Sequence, residues 1–87
     1  MLDHHVGIEG MNMFEQVKRI FIEELGLHSE DVTPEANLRN GLGISSLEFL
    51  NVIIAMEDAF AVTMDPERLA KLKTVNDVVL YVEKLKT

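Results

Sequence analysis

Between Asn12 and Leu25, apolar residues recur at steps of three and four: Phe14, Val17, Phe21 and Leu25, with Ile20 widening the stripe. This spacing gives an α-helix one apolar face. Asn12 stands ahead of the stripe as an N-cap, with a short side chain suited to a first-turn N–H. Gly26 follows it, where helices commonly end. Glu15, Glu23 and Glu24 fall largely outside the stripe, with Lys18 and Arg19 beside it.

From Leu27 to Gly43 the period is lost. Thr33-Pro34, Asn37, Asn40-Gly41 and Gly43 are turn and loop residues. A loop this long carries function or a short helical turn. Thr33-Pro34-Glu35 suits such a turn, with Pro34 at the first helical position. Val32, Leu38 and Leu42 are positioned to pin the loop to a core.

A second helix is predicted from about Ser45 to Phe60. Ser45-Ser46-Leu47-Glu48 matches the capping box, with Ser45 as cap and Ser46 as the first helical residue. A short third helix follows Asp65, with Pro66 at its first position, and reaches about Leu72. Thr74 caps a fourth, with Asp77 three residues on and Val75, Val78, Val79, Val82 and Leu85 on one face. Ala61-Val62-Thr63-Met64 is too short to build a sheet. The fold class is therefore all-α. It is a small four-helix bundle with a long first loop, its helices about 14, 16, 7 and 12 residues long. The expected core is Phe14, Val17, Phe21, Phe49, Ile53, Met56, Phe60, Leu69, Val78 and Val82.

The second helix carries more apolar surface than one buried face needs. Phe49, Val52, Ile53, Met56 and Phe60 form one stripe; Leu47, Leu50 and Ile54 form another beside it. Either the helix is central in the bundle or part of its apolar face meets partners.

At 87 residues the chain is one domain. Residues 1–11 read as a flexible lead-in and residues 12–87 as the folded domain. The net charge of −7 repels nucleic-acid phosphates and anionic lipid headgroups and attracts basic protein surfaces. No nucleic-acid or membrane partner is expected. No apolar run is long enough to span a bilayer and no signal peptide is evident, so a cytoplasmic protein is the expectation. Cysteine is absent, so any thioester chemistry requires an imported thiol. His4-His5 lacks further ligands at metal-site spacing, and no metal is expected. There is no Ser–His–acid constellation, and His28 lies in a loop without an evident partner. No catalytic residue is assigned and an enzyme is not expected.

Leu42-Gly43-Ile44-Ser45-Ser46-Leu47 resembles the acyl carrier protein motif, usually Leu-Gly-x-Asp-Ser-Leu. Glu48 to Phe60, ending Met56-Glu57-Asp58-Ala59-Phe60, is similar to that family's second helix. Lys73-Thr74-Val75-Asn76-Asp77, with Tyr81-Val82, is similar to its last. The resemblance covers about Met13 to Leu85. It implies a carrier that holds acyl intermediates as thioesters on a 4'-phosphopantetheine arm, attached to Ser46 by a phosphopantetheinyl transferase using coenzyme A. It further implies a monomer delivering cargo to acyl synthases and transferases of fatty acid, polyketide or related lipid synthesis. Leu47, Glu48, Leu50, Ile54, Glu57 and Asp58 are the expected partner-binding residues, and the acyl chain is expected to fold back between the second helix and its neighbours.

The site suits that chemistry. Ser46 lies in the first turn of the helix, where unpaired N–H groups and the positive end of the dipole favour a phosphate. The chain departs from the family pattern in three places. Ser45 replaces the usual Asp, while Asn51 and Ala59 stand where Glu is frequent, which points to a specialised carrier. A freestanding peptidyl or aminoacyl carrier is a second reading, although the Gly-Gly-x-Ser type motif is missing. An unmodified helical interaction module is a third.

Overall fold

The computed structural model describes residues 11–86. Apart from Met11, the lead-in lies outside the described residues, as does His4-His5. The described chain forms four α-helices: α1 (Met13–Leu25), α2 (Ser46–Phe60), α3 (Pro66–Leu69) and α4 (Val75–Lys86). Among the described residues the only extended pairing is one isolated antiparallel bridge, Asn37 with Thr74. The fold is all-helical, with α1 packed against both α2 and α4.

The ends of the helices follow from side-chain chemistry. The Asn12 carboxamide oxygen accepts the Glu15 N–H at 2.8 Å. Gly26 closes α1 in left-handed backbone (φ 69°), and its N–H reaches the Ile22 carbonyl at 2.8 Å. At α4, the Thr74 hydroxyl accepts the Asp77 N–H at 3.1 Å. The Asp77 carboxylate in turn accepts the N–H groups of Lys73 (2.9 Å) and Thr74 (3.1 Å). These bonds, the Lys73 N–H foremost, hold the Asp77 carboxyl below its usual range against the opposing pull of partial burial.

Val17, Phe21, Ile53, Met56, Phe60, Val78 and Val82 are buried as expected. Phe14, Phe49 and Leu69 pack only partly buried against them. Burying each such side chain contributes about 1.5–3 kcal/mol relative to exposure. Val32, Leu38, Ile44 and Met64 add a second set of buried residues from outside the helices.

Two expectations about the connections need correction. The helical turn in the first loop is a 3-10 turn at Ser29–Asp31, not at Thr33-Pro34-Glu35. There the Ala36 N–H instead closes a turn on the Thr33 carbonyl at 3.1 Å. The acidic Ser29-Glu30-Asp31 segment has no apolar period, so it left no helical signal. The third helix ends at Leu69 rather than about Leu72. Beyond it the Lys71 and Leu72 N–H groups bond only three residues back, to Arg68 and Leu69, as a loose turn.

The first loop is held in place by its backbone. Leu38 N–H donates to the Lys73 carbonyl (2.8 Å), Val75 N–H to Ala36 (3.1 Å) and Asn76 N–H to Pro34 (2.9 Å). Asn37 organises the turn that follows. Its side-chain oxygen accepts the Arg39 and Asn40 N–H groups, and its carbonyl accepts those of Gly41 and Leu42. The Ile44 N–H then returns to the Leu38 carbonyl at 2.9 Å, delivering the chain to the start of α2.

Candidate functional site

The first turn of α2 divides the work between its two serines. The Ser45 hydroxyl accepts the Glu48 N–H at 3.1 Å, and the Glu48 carboxylate accepts the Ser45 N–H at 3.0 Å. This reciprocal pair is a complete capping box. Ser46, the first helical residue, is exposed, and its hydroxyl makes no hydrogen bond to the described residues. The Ser46 and Leu47 N–H groups lie in the first turn, where the helix offers them no acceptor. An exposed, uncommitted hydroxyl beside two open N–H donors fits a covalently attached phosphate.

The second apolar stripe is exposed: Leu47 at 68%, Leu50 at 50% and Ile54 at 55%. The two apolar stripes of α2 differ in burial. Val52, Ile53, Met56 and Phe60 are buried, while the adjacent stripe faces out. Ser46, Leu50, Ile54 and Asp58 follow one another at four-residue steps. The serine therefore heads an exposed row that runs down the helix and ends in a carboxylate.

The three acidic residues expected to meet partners are not equivalent. Glu48 is engaged in the capping box. Glu57 is half-buried, and its carboxylate accepts the Met64 N–H at 2.8 Å. Asp58 is exposed and has no hydrogen bond to the described residues. Sequence reading placed all three on one helix and Glu48 in the capping box, but it had no means of seeing that the Met64 N–H claims Glu57.

A groove of about 340 Å³ opens beside the same turn, with Ile44, Phe49, Leu69, Leu72, Arg39 and Lys73 in its wall. Its basic residues escaped sequence reading, because Arg39 and Lys73 lie far apart in the chain and their segments are joined only by tertiary backbone bonds, among them Leu38–Lys73. Among the described residues, no group of three or more His, Cys, Asp or Glu is placed to hold a metal ion. No described helix is long and apolar enough to cross a membrane.

Residues 15–82 match the family described as phosphopantetheine attachment site. The chain is 36% identical over 73 residues to the acyl carrier protein of Helicobacter hepaticus (strain ATCC 51449 / 3B1), covering 84% of this chain and 96% of that protein. The chain belongs to the acyl carrier protein family. As a member of that family it is a carrier and not an enzyme, and its prosthetic group is covalently attached 4'-phosphopantetheine. The group supplies a terminal thiol for thioester formation, which this chain, without cysteine, does not itself possess. The exposed turn that opens α2 fits the family's attachment chemistry.

Proposed function

We propose that Ser46 carries the arm and that the chain delivers acyl thioesters to partner enzymes of fatty acid, polyketide or related lipid synthesis. One observation carries the assignment: of the two adjacent serines, only Ser46 has its hydroxyl exposed and uncommitted, while that of Ser45 caps the helix. On modification, Ser46 Oγ bonds to the pantetheine-bearing phosphorus of coenzyme A, adenosine 3',5'-bisphosphate departs, and the hydroxyl proton passes to the phosphopantetheinyl transferase. The open N–H groups of Ser46 and Leu47 steady the resulting phosphodiester. Leu47, Leu50 and Ile54 form the apolar contact for acyl synthases and transferases, with Asp58 at its far end to meet basic residues. The carrier works as a cytoplasmic monomer. The replacement of acidic residues by Asn51 and Ala59 suits a specialised pathway rather than the housekeeping one.

The test is intact mass after treatment with a broad-specificity transferase and coenzyme A. The wild type and Ser45→Ala gain the mass of the arm, whereas Ser46→Ala folds and gains nothing. Ser45→Ala also loses its cap, at a cost of about 0.5–2 kcal/mol. Uptake by Ser46→Ala moves the site elsewhere. A wild type that stays unmodified with every transferase replaces the carrier reading with the unmodified interaction module.

A further inference from the structure

Away from α2, Leu80 on α4 is the exposed large apolar side chain among the described residues, at 54%. It stands in a shallow depression of about 300 Å³ with Arg68, Lys71 and Lys84 around it. Arg68 and Lys71 are exposed and form no ion pair among the described residues. Asp77, in the same wall, has its carboxylate engaged by the Lys73 and Thr74 N–H groups at the cap of α4. Five of the chain's 8 basic side chains follow Asp65, against three of its 15 acidic ones. An acidic molecule thus has a basic face with an apolar centre.

The reverse arrangement lies between α1 and α2. A groove of about 630 Å³ there has Ile20 and Ile54 in its wall with Glu23, Glu24 and Asp58, and no basic residue. Glu23 pairs with Arg19 at 3.0 Å. Glu24 and Asp58 are exposed and form no ion pair among the described residues. The two depressions share no residue, and both are built on packed helices, so only another molecule can bring one against the other. A bilayer or a nucleic-acid duplex would set an extended sheet of negative charge against the whole molecule, whose net charge is −7. A compact acidic face with an apolar centre suits the Leu80 patch better, and this chain carries one.

We propose that the chain associates with itself head to tail. Leu80 of one molecule seats in the α1–α2 groove of a second, against Ile20 and Ile54, while Arg68 and Lys71 meet Glu24 and Asp58. Joining two unlike faces makes the contact heterologous. Its apolar area is small, which places it among weak, transient interfaces. A seated copy covers Ile54 and Asp58, so it excludes an enzyme docked on α2 as proposed above. The monomer is the form free to meet enzymes, and the association fills in as the carrier becomes concentrated.

The experiment follows the full-length apo protein by amide NMR and sedimentation from about 0.02 to 2 mM, a range that brackets weak binding, in about 0.15 M salt. Signals near Leu80 and Arg68 and signals near Glu24 and Ile54 should move together with concentration. Reversing the acidic face (Glu24→Lys with Asp58→Lys) or the basic one (Arg68→Glu with Lys71→Glu) should weaken self-association about tenfold or more. The acidic-face variant should do so although its lower net charge reduces repulsion between copies. Mixing the two reversed variants, both still net acidic, should restore association, because each reversed face then finds its complement. Binding should also be weaker in about 1 M salt, where ion pairs are screened. A protein that stays monomeric throughout the range overturns the proposal. So do shifts confined to one face, association that survives either reversal or strengthens steadily with salt, and a mixture that stays monomeric. Movement of the Leu80 and Arg68 signals with phosphatidylglycerol vesicles, but not with protein concentration, gives the basic face to a lipid surface and overturns it as well.

Discussion

Glu57 and Met64 are tied across the turn that follows α2: the Glu57 carboxylate accepts the Met64 N–H at 2.8 Å. Met64 is buried, so the bond fixes where the chain re-enters the core. The neighbouring Asp58 has no such task. Charge reversal of the two therefore has different consequences. Glu57→Lys should cost about 1–2 kcal/mol in thermal or denaturant unfolding, because a charged acceptor is lost from a half-buried N–H. Asp58→Lys should stay within about 0.5 kcal/mol of the wild type yet slow association with a basic synthase or transferase at low salt. Equal destabilisation by the two substitutions would refute this division of roles.

The cap of α4 carries a pH dependence. The Asp77 carboxyl is lowered from its ordinary value of 3.8, chiefly by the Lys73 N–H. The lowered group stabilises the folded state fully at pH above the unfolded value, and the contribution fades as pH falls through the lower folded value. Asp77→Asn should therefore be less stable than the wild type at neutral pH, by about 1–2 kcal/mol. That gap should narrow as pH is taken below 4. Unfolding curves of both proteins between pH 7 and 3 measure it, and a gap independent of pH would remove the carboxylate from the account.

Gly41 sits where a side chain has no room. A Cβ there would lie 2.8 Å from the Asn37 carbonyl oxygen and 3.0 Å from its nitrogen, both backbone atoms, the oxygen already accepting the Gly41 and Leu42 N–H groups. Gly41→Ala should cost about 1–3 kcal/mol and perturb the amide signals of residues 37–44, just ahead of the proposed attachment turn. Unaltered stability would mean that the loop yields without strain.

The helices announced themselves wherever a period and a cap coincided. Asn12 with Gly26 bounded α1, and Ser45 with Glu48 opened α2, because these contacts span three or four residues and leave a local signature. The two stripes of α2 were also legible, although which of them is buried depends on the packing against α1. Ile44 and Met64 were not foreseen as core: each is a single apolar residue in a non-helical connection, and its burial is decided by chain segments elsewhere. The third helix was overestimated because Leu69 and Leu72 are spaced like helix neighbours, while the backbone between them closes shorter bonds. At the site, the capping-box register that sets Ser45 apart from Ser46 and the existence of a second stripe could be read directly, while the exposure of that stripe could not. The retention of Glu57 by Met64 and the meeting of Arg39 with Lys73 are tertiary, and no local pattern encodes them.

The three backbone bonds from Pro34, Ala36 and Leu38 to the start of α4 have a further consequence for recognition. A long loop ahead of a docking helix would ordinarily have to be immobilised at each encounter, and that entropy would be taken from every complex. Here it is already spent in folding. An enzyme docking on α2, as proposed above, would find a surface preorganised for binding, with only a few exposed apolar side chains to desolvate. The small apolar area keeps such visits brief, while the preordered loop spares each of them an ordering cost.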